Sequence, residues 1–284
     1  MLIDTHTHIN FNAFGDDADE VLQRAFENDI WMIMPGSQYT TSKRAVEIAE
    51  QYEEGVYAAV GIHPIHLDKR RVDVQEVQST EEPEQPWMLF DTRAEDFDYE
   101  KYKELAQSKK VVAIGEIGLD YYYQPKGKAK REEYRSHQKE ILTKQIDLAK
   151  ELDLPVILHC RVAHNDLYEM LNTPLRGVMH SYTGTVEQAK KFMKFGLYIG
   201  FNGLIFKDVA TLPNPEEVIS SIPLEKILLE TDSPYLVPPM ADKERNEPAF
   251  VKYIAEEIVR IKKINVEEIG KVTTENARAL FQLK

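Results

Sequence analysis

Five of the eight histidines in this 284-residue chain (His6, His8, His63, His159 and His180) stand where a short apolar run gives out. Two residues apart on a strand, His6 and His8 point to one side with backbones about 6.6 Å apart, so both rings can reach one cation. Alone, the pair would suit two hydrogen-bonded structural histidines equally well. Asp4 shares the alternation and is expected to orient an imidazole. Glu116, in Gly115-Glu-Ile-Gly-Leu-Asp120, closes the run Val111–Ile114. An unpaired carboxylate is costly to bury there, leaving a structural ion pair or a metal ligand able to bridge two cations. Asp232 ends Leu228-Leu-Glu-Thr-Asp in the same way. His6, His8, Glu116, His159, His180 and Asp232 thus offer nitrogen and oxygen donors, which suit zinc, manganese, magnesium or iron. Cys160, the only cysteine, neighbours His159 but points the other way on an extended strand, and reads as a small buried hydrophobe.

Side chains so distant in sequence meet only if the strand ends converge. Short runs rich in Val, Ile and Leu predict strands near Leu2–His6, Ile30–Met34, Val56–Gly61, Val111–Ile117, Val156–His159, Gly177–His180, Leu197–Phe201 and Lys226–Thr231. Helical periodicity lies between them, clearest over Arg131–Glu151 and from Phe250 to Ile261. Thr185…Gln188 and Asn265…Glu268 have the spacing of capping boxes. Eight alternations in a chain of this length predict one (β/α)8 TIM barrel domain over residues 1–284, whose strand C-termini share a single mouth. A doubly wound open sheet is the runner-up.

Composition narrows the function. With 48 acidic and 35 basic residues the net charge is −13, which opposes general binding to polyanions. No apolar run approaches the roughly 18 residues of a membrane span. The start Met1-Leu2-Ile3-Asp4 lacks the pattern of a signal peptide, and a single cysteine permits no disulfide within the chain, so a cytoplasmic location is expected. Cations do gather locally. Lys126, Lys128, Lys130 and Arg131 follow three tyrosines, Tyr121–Tyr123, in a predicted mouth loop that suits single-stranded nucleic acid. Lys207, beyond the seventh strand, is a further candidate for phosphate. Residues 66–98 form an acidic excursion after the third strand, expected to be a long solvated loop that must bury Trp87-Met-Leu-Phe90 somewhere.

In order along the chain, Asp4-Thr-His-Thr-His8, Gly61-Ile-His-Pro64, Gly115-Glu-Ile-Gly-Leu-Asp120, Leu158-His-Cys-Arg161, His180-Ser-Tyr-Thr-Gly184, Gly203–Lys207, Glu230-Thr-Asp-Ser-Pro-Tyr-Leu236 and Arg245-Asn-Glu-Pro248 resemble the motifs of the TatD family of metal-dependent hydrolases, within the amidohydrolase superfamily. The resemblance implies a distorted (β/α)8 barrel and a divalent-metal hydrolase with deoxyribonuclease activity. It implies one metal ion on His6, His8, Glu116 and Asp232 and a second on Glu116, His159 and His180, with His63 and Arg161 facing the substrate phosphate. Two features depart from the family pattern. His63-Pro-Ile-His66 carries its second histidine one place late, and the excursion is long. The leading expectation is a 3′–5′ exonuclease or related phosphodiesterase on DNA, single-stranded by preference, or RNA, using two ions of magnesium, manganese or zinc, with Asp232 taking the proton of water. The alternatives are an esterase, lactonase or deacylase on a small or tRNA-linked substrate and, less favoured, a non-catalytic metal-binding scaffold.

Overall fold

The short strands are apolar on both faces, as a parallel sheet covered by helices requires. In the computed structural model, which describes residues 1–73 and 89–284, they pair in one eight-stranded parallel sheet. In chain order the elements are β1 (Leu2–Asp4), α1 (Ala18–Glu27), β2 (Ile30–Pro35), α2 (Tyr39–Ala49), β3 (Val56–Val60), β4 (Arg71–Asp73), β5 (Leu89–Asp91), α3 (Tyr99–Leu105), β6 (Val111–Asp120) and α4 (Lys128–Glu151). There follow β7 (Val156–Arg161), α5 (His164–Met170), β8 (Gly177–Met179), α6 (Val186–Lys194), β9 (Tyr198–Phe201), α7 (Pro215–Ser221), β10 (Ile227–Leu229), α8 (Val251–Lys262) and α9 (Val266–Phe281). The sheet runs β1-β2-β3-β6-β7-β8-β9-β10. Beyond their last paired residues its two ends meet: Thr5 N–H donates to Leu229 O, Asp232 N–H to His6 O and His8 N–H to Ser233 O, at 2.8–2.9 Å. The result is a nearly closed (β/α)8 barrel.

The inner wall is a column of Ile3, Ile33, Ala59, Ala113, Ile157, Val178 and Leu228, and Ala277, Leu280 and Phe281 of α9 pack into it. Alternation from this column carries Ile157 to His159, Val178 to His180, and Leu228 to Glu230 and Asp232 on the inner face. Two strands break phase. In β6 the register against β7 shifts between Ile114 and Ile117, so an inward Ala113 is followed by an inward Glu116. In β1 pairing ends at Asp4, two residues before the predicted end, and Asp4 Oδ1 accepts from His6 N–H at 3.2 Å. Asp4 therefore orients no imidazole. Its oxygens bind backbone and the Thr231 N–H and hydroxyl, at 2.9 and 2.6 Å, bracing the first strand against the last.

Further corrections concern the connections. Helix α4 begins at Lys128, three residues before the predicted start, so Lys128, Lys130 and Arg131 sit in its first turns and not in a loop. The acidic excursion is not one open loop. A short turn over Pro64–Leu67 leads into β4, which pairs antiparallel with β5, and the returning chain docks through Glu95, which accepts from Tyr39 N–H and the Tyr102 hydroxyl. The burial expected of Trp87–Phe90 lies outside the described side chains. Thr185 and Gln188 form the expected capping box, while Asn265 caps Glu268 N–H at 2.7 Å, one half of the other.

Candidate metal centre at the barrel mouth

Six side chains from five strand ends meet here. His6 Nε2 lies 3.2 Å from His8 Nε2, 3.3 Å from Glu116 Oε2 and 3.8 Å from Asp232 Oδ1, and His8 Nε2 lies 3.2 Å from the same Asp232 oxygen. On the other side of Glu116, Oε1 lies 3.0 Å from His159 Nδ1 and 3.9 Å from His180 Nε2. The His180 ring stacks on His6 with centroids 3.4 Å apart. All six are buried except His159, which is half-buried, and Asp232, whose side chain keeps 17% exposure.

Hydrogen bonds behind the site decide which nitrogen faces it. His8 Nδ1 is 3.3 Å from Pro35 O and His180 Nδ1 is 2.9 Å from Glu230 Oε2, so in each neutral ring Nδ1 holds the proton and the Nε2 lone pair points inward. His159 Nε2 is held by Asp120 Oδ2 at 3.2 Å, which turns Nδ1 toward Glu116. Lone pairs thus face carboxylate oxygens and one another, an arrangement that repels unless protons or cations lie between them. Separations of 3.0–4.0 Å are also what donors sharing an ion at about 2.1 Å require. The residues fit divalent metal. His63 differs: its Nδ1 accepts from Ile65 N–H at 3.1 Å, so the neutral ring carries its proton on Nε2, 3.4 Å from Glu116 Oε1. In that tautomer it offers the centre a donor, and its nitrogen also lies within reach of a cation shared with Glu116 and His159.

Protonation follows from burial and neighbours. Burial, then the charge of His180, lowers His6 to about 4. Burial, then His159, also lowers His63. Burial opposes charge on His159 as well, but Asp120 and Glu116 outweigh it and raise the ring to about 9, while Glu230 and Glu116 raise His180 to about 10. Burial works against ionised Glu116, yet His63, His6 and His180 hold it well below the usual carboxylate range. Asp232 is likewise opposed by burial but held low by His180 and His8. The metal-free centre therefore stores protons where cations would sit.

Sequence reasoning left two residues without roles. Glu230 is fully buried, accepts from His180 Nδ1 and Ser181 N–H, and leaves Oε1 with no partner. Gly200 makes its room, since a Cβ there would come within 2.1 Å of that oxygen. Asp120 fixes His159, and Gly118, at φ +153°, lets β6 approach β7, where a Cβ would meet His159 O at 1.9 Å. The signal for both was a carboxylate inside an apolar strand. Backbone also aims the site: Ser181 and Asp232 are left-handed, as is Val162, a conformation that costs a β-branched residue about 1–3 kcal/mol.

The substrate candidates lie around the rim. Arg161 stacks its guanidinium over Tyr122, 3.5 Å from the ring centroid, and Tyr122 is itself exposed. Lys126 and Lys128 are exposed, with Lys128 Nζ 3.9 Å from Glu132. Lys207 is half-buried beyond the turn Gly203–Phe206. Tyr182 packs, donating its hydroxyl to Thr185 O. Cys160 is buried, which pushes its thiol far up.

Comparison with known proteins agrees with this geometry. The sequence model of the family described as TatD related DNase matches residues 3–282. The uncharacterized metal-dependent hydrolase YabD of Bacillus subtilis (strain 168) is 38% identical over 289 residues, with all of both chains covered. The 3′-5′ ssDNA/RNA exonuclease TatD of Pantoea ananatis is 30% identical over 293 residues, covering 99% of this chain and all of its own. The crystal structure of YJJV, a TatD homolog from Escherichia coli K12, superposes with a TM-score of 0.79 at 29% identity, covering 100% of this chain and 98% of that one.

Proposed function

The chain belongs to the TatD family of metal-dependent hydrolases, and on that premise we propose that it trims single-stranded DNA or RNA from the 3′ end with two divalent cations. The observation that carries the reading is the inward-facing lone pairs of His8, His159 and His180 around Glu116 and Asp232. His6, His8, Glu116 and Asp232 would hold one ion, and Glu116, His159 and His180 the other. Bound there, magnesium, manganese or zinc supplies positive charge for a phosphodiester and acidity for water.

The chain's own groups do the rest. Asp232 is the ionised carboxylate of the cluster that keeps contact with solvent, and it accepts the proton of the attacking water. His63 donates from Nε2 to a phosphate oxygen. Arg161, held flat by Tyr122, presents its fork to the same group, and the exposed Tyr122 ring offers a surface for a base. Lys126 and Lys128 draw in the strand; cations at the start of α4 run against the helix dipole, so helix stability does not explain them. Lys207 serves a more distant phosphate.

The net charge of −13 is the feature that favours the second reading, hydrolysis of a small ester at the same centre. One experiment separates them. Chelator-stripped protein is given end-labelled single-stranded DNA or RNA with magnesium, manganese or zinc added back singly, and Asp232→Asn is the control. Shortening from the 3′ end that depends on metal and vanishes in the variant is the expected result. Intact strands with every metal, from protein that binds ions, would move the assignment to carboxyl esters.

A further inference from the structure

Inside the barrel, three buried polar atoms have no hydrogen-bond partner among the described residues: His6 Nδ1, Glu230 Oε1 and Asn202 Nδ2. His6 and Glu230 are fully buried and Asn202 is 1% exposed. Leu204 N–H donates to Asn202 Oδ1 at 3.1 Å, which orients the amide and leaves Nδ2 as its donor end. Polar groups enclosed in this way call for partners.

The sheet brings the three residues together. β9 pairs with β10 as Ile199–Ile227, Gly200–Leu228 and Phe201–Leu229, and Glu230 N–H donates to Phe201 O at 2.9 Å. Carried one residue on, this register sets Asn202 beside Glu230. Leu228 belongs to the inner wall, so alternation turns both side chains into the barrel. His6 stacks on His180 with 17° between the ring planes, and their Nε2 atoms lie 3.8 and 3.7 Å from the same Asp232 oxygen. The far edge of each ring, which carries Nδ1, is thereby turned from the centre, and His180 Nδ1 already meets Glu230 Oε2 at 2.9 Å. His6 brings a ring nitrogen within 4.8 Å of a Glu230 oxygen, yet its Nδ1 and Glu230 Oε1 stay unbonded. Two hydrogen bonds meeting at one oxygen span such a gap.

Chemistry selects the occupant. A cation would face the N–H donors of Asn202, and an anion the Glu230 carboxylate. A small neutral molecule that donates once and accepts twice satisfies all three atoms, as buried waters do with about three hydrogen bonds. We infer that one water is held here, donating to Glu230 Oε1 and accepting from Asn202 Nδ2 and His6 Nδ1. Glu230 then serves both proposed ions: it holds His180 directly and His6 through the water, and each ring keeps its Nε2 lone pair for metal. Asn202 is a positioning residue that fixes the direction of the water. The inference rests on the assignment of His6 and His180 to two ions, and not on the nature of the substrate.

The test exchanges donor and acceptor. In Glu230→Gln the amide oxygen stays on His180 Nδ1 and Ser181 N–H, so the amide nitrogen takes the place of Oε1. The water then meets three donors with two lone pairs, and His6 must move its proton to Nε2 and lose its ligand lone pair. Adding Asn202→Asp supplies the missing acceptor, restores the net charge and keeps the oxygen that caps Leu204. Long-range 1H–15N correlations of the histidine rings are recorded with zinc buffered by a chelator. In the unaltered protein His6 is expected to carry its proton on Nδ1. Glu230→Gln should bind zinc about 10- to 100-fold more weakly with the His6 proton on Nε2, and the double variant should return to within about threefold of the unaltered affinity with the proton on Nδ1. A His6 proton on Nε2 in the unaltered protein, or a double variant as weak as Glu230→Gln, would overturn the water link while leaving the two ions in place. Zinc that leaves the His6 and His180 ring nitrogens unshifted would overturn the ion assignment together with the link.

Discussion

The ring of proposed ligands and the rim around it are built on opposite principles. Three imidazoles of the ring are held from behind by a second group and have little freedom: Glu230 fixes His180, Asp120 fixes His159 and Pro35 O fixes His8. On the rim, Lys126 and Lys128 are exposed on a loop and a helix start, and Arg161 lies over the rings of Tyr122 and Tyr123. A centre that must set cations to within a fraction of an ångström needs the first kind of support. A surface that gathers a flexible anion works through summed charge and stacking and needs only the second. Single changes should therefore be severe in the ring and mild on the rim.

The most severe break in this contrast is removal of a ligand charge. Glu116→Gln and Asp232→Asn should each lower turnover by about a thousandfold or more while the far-UV circular dichroism stays that of the unaltered protein. Loss of less than tenfold would take that residue out of the centre. Next come the supports. Glu230→Gln and Asp120→Asn should each weaken metal binding or activity by about 10- to 100-fold, measured by competition with a chromophoric chelator.

Protons sharpen the account of the ring. In metal-free protein, His159 at about 9 and His180 at about 10 stand above the ordinary 6.5. Their contribution to stability is complete below pH 6.5 and disappears as pH rises through 9 and then 10. The melting temperature of the metal-free protein should accordingly fall between pH 7 and 10. Metal must displace these protons, so uptake at pH 7 should release about two per chain, read by calorimetry in buffers of different ionisation enthalpy. Uptake with no proton release would contradict the pairing of these rings with Glu116, Asp120 and Glu230. The smallest effect belongs to the rim. Lys126→Ala with Lys128→Ala should weaken strand binding severalfold at low salt and reduce the slope against log salt by about 1.4.

The same division decided what could be read from the sequence. The barrel and the six ring residues were legible because apolar runs ending in His, Glu or Asp are a local pattern, and every one of the eight predicted strands is present. What escaped depends on long-range register. Strict alternation puts Asp4 with His6 and His8, whereas pairing stops at Asp4 and its carboxylate ties His6 N–H to Thr231. Glu230 and Asp120 are placed as conspicuously as Glu116, but only the meeting of β10 with β8 and of β6 with β7 shows which imidazole each holds. His63 reads as one more histidine at a strand end, and its tautomer comes from a turn, Ile65 N–H on Nδ1, that no spacing announces. The antiparallel pair β4–β5 interrupts a stretch whose composition says only that it is acidic.

The account stands or falls on two cations sharing Glu116. Crystals soaked in manganese, with anomalous data collected at the manganese edge, would locate them directly. Two peaks are predicted, one among His6, His8, Glu116 and Asp232 and one among Glu116, His159 and His180, with His63 coordinated to neither. A single peak, or peaks away from Glu116, would contradict it.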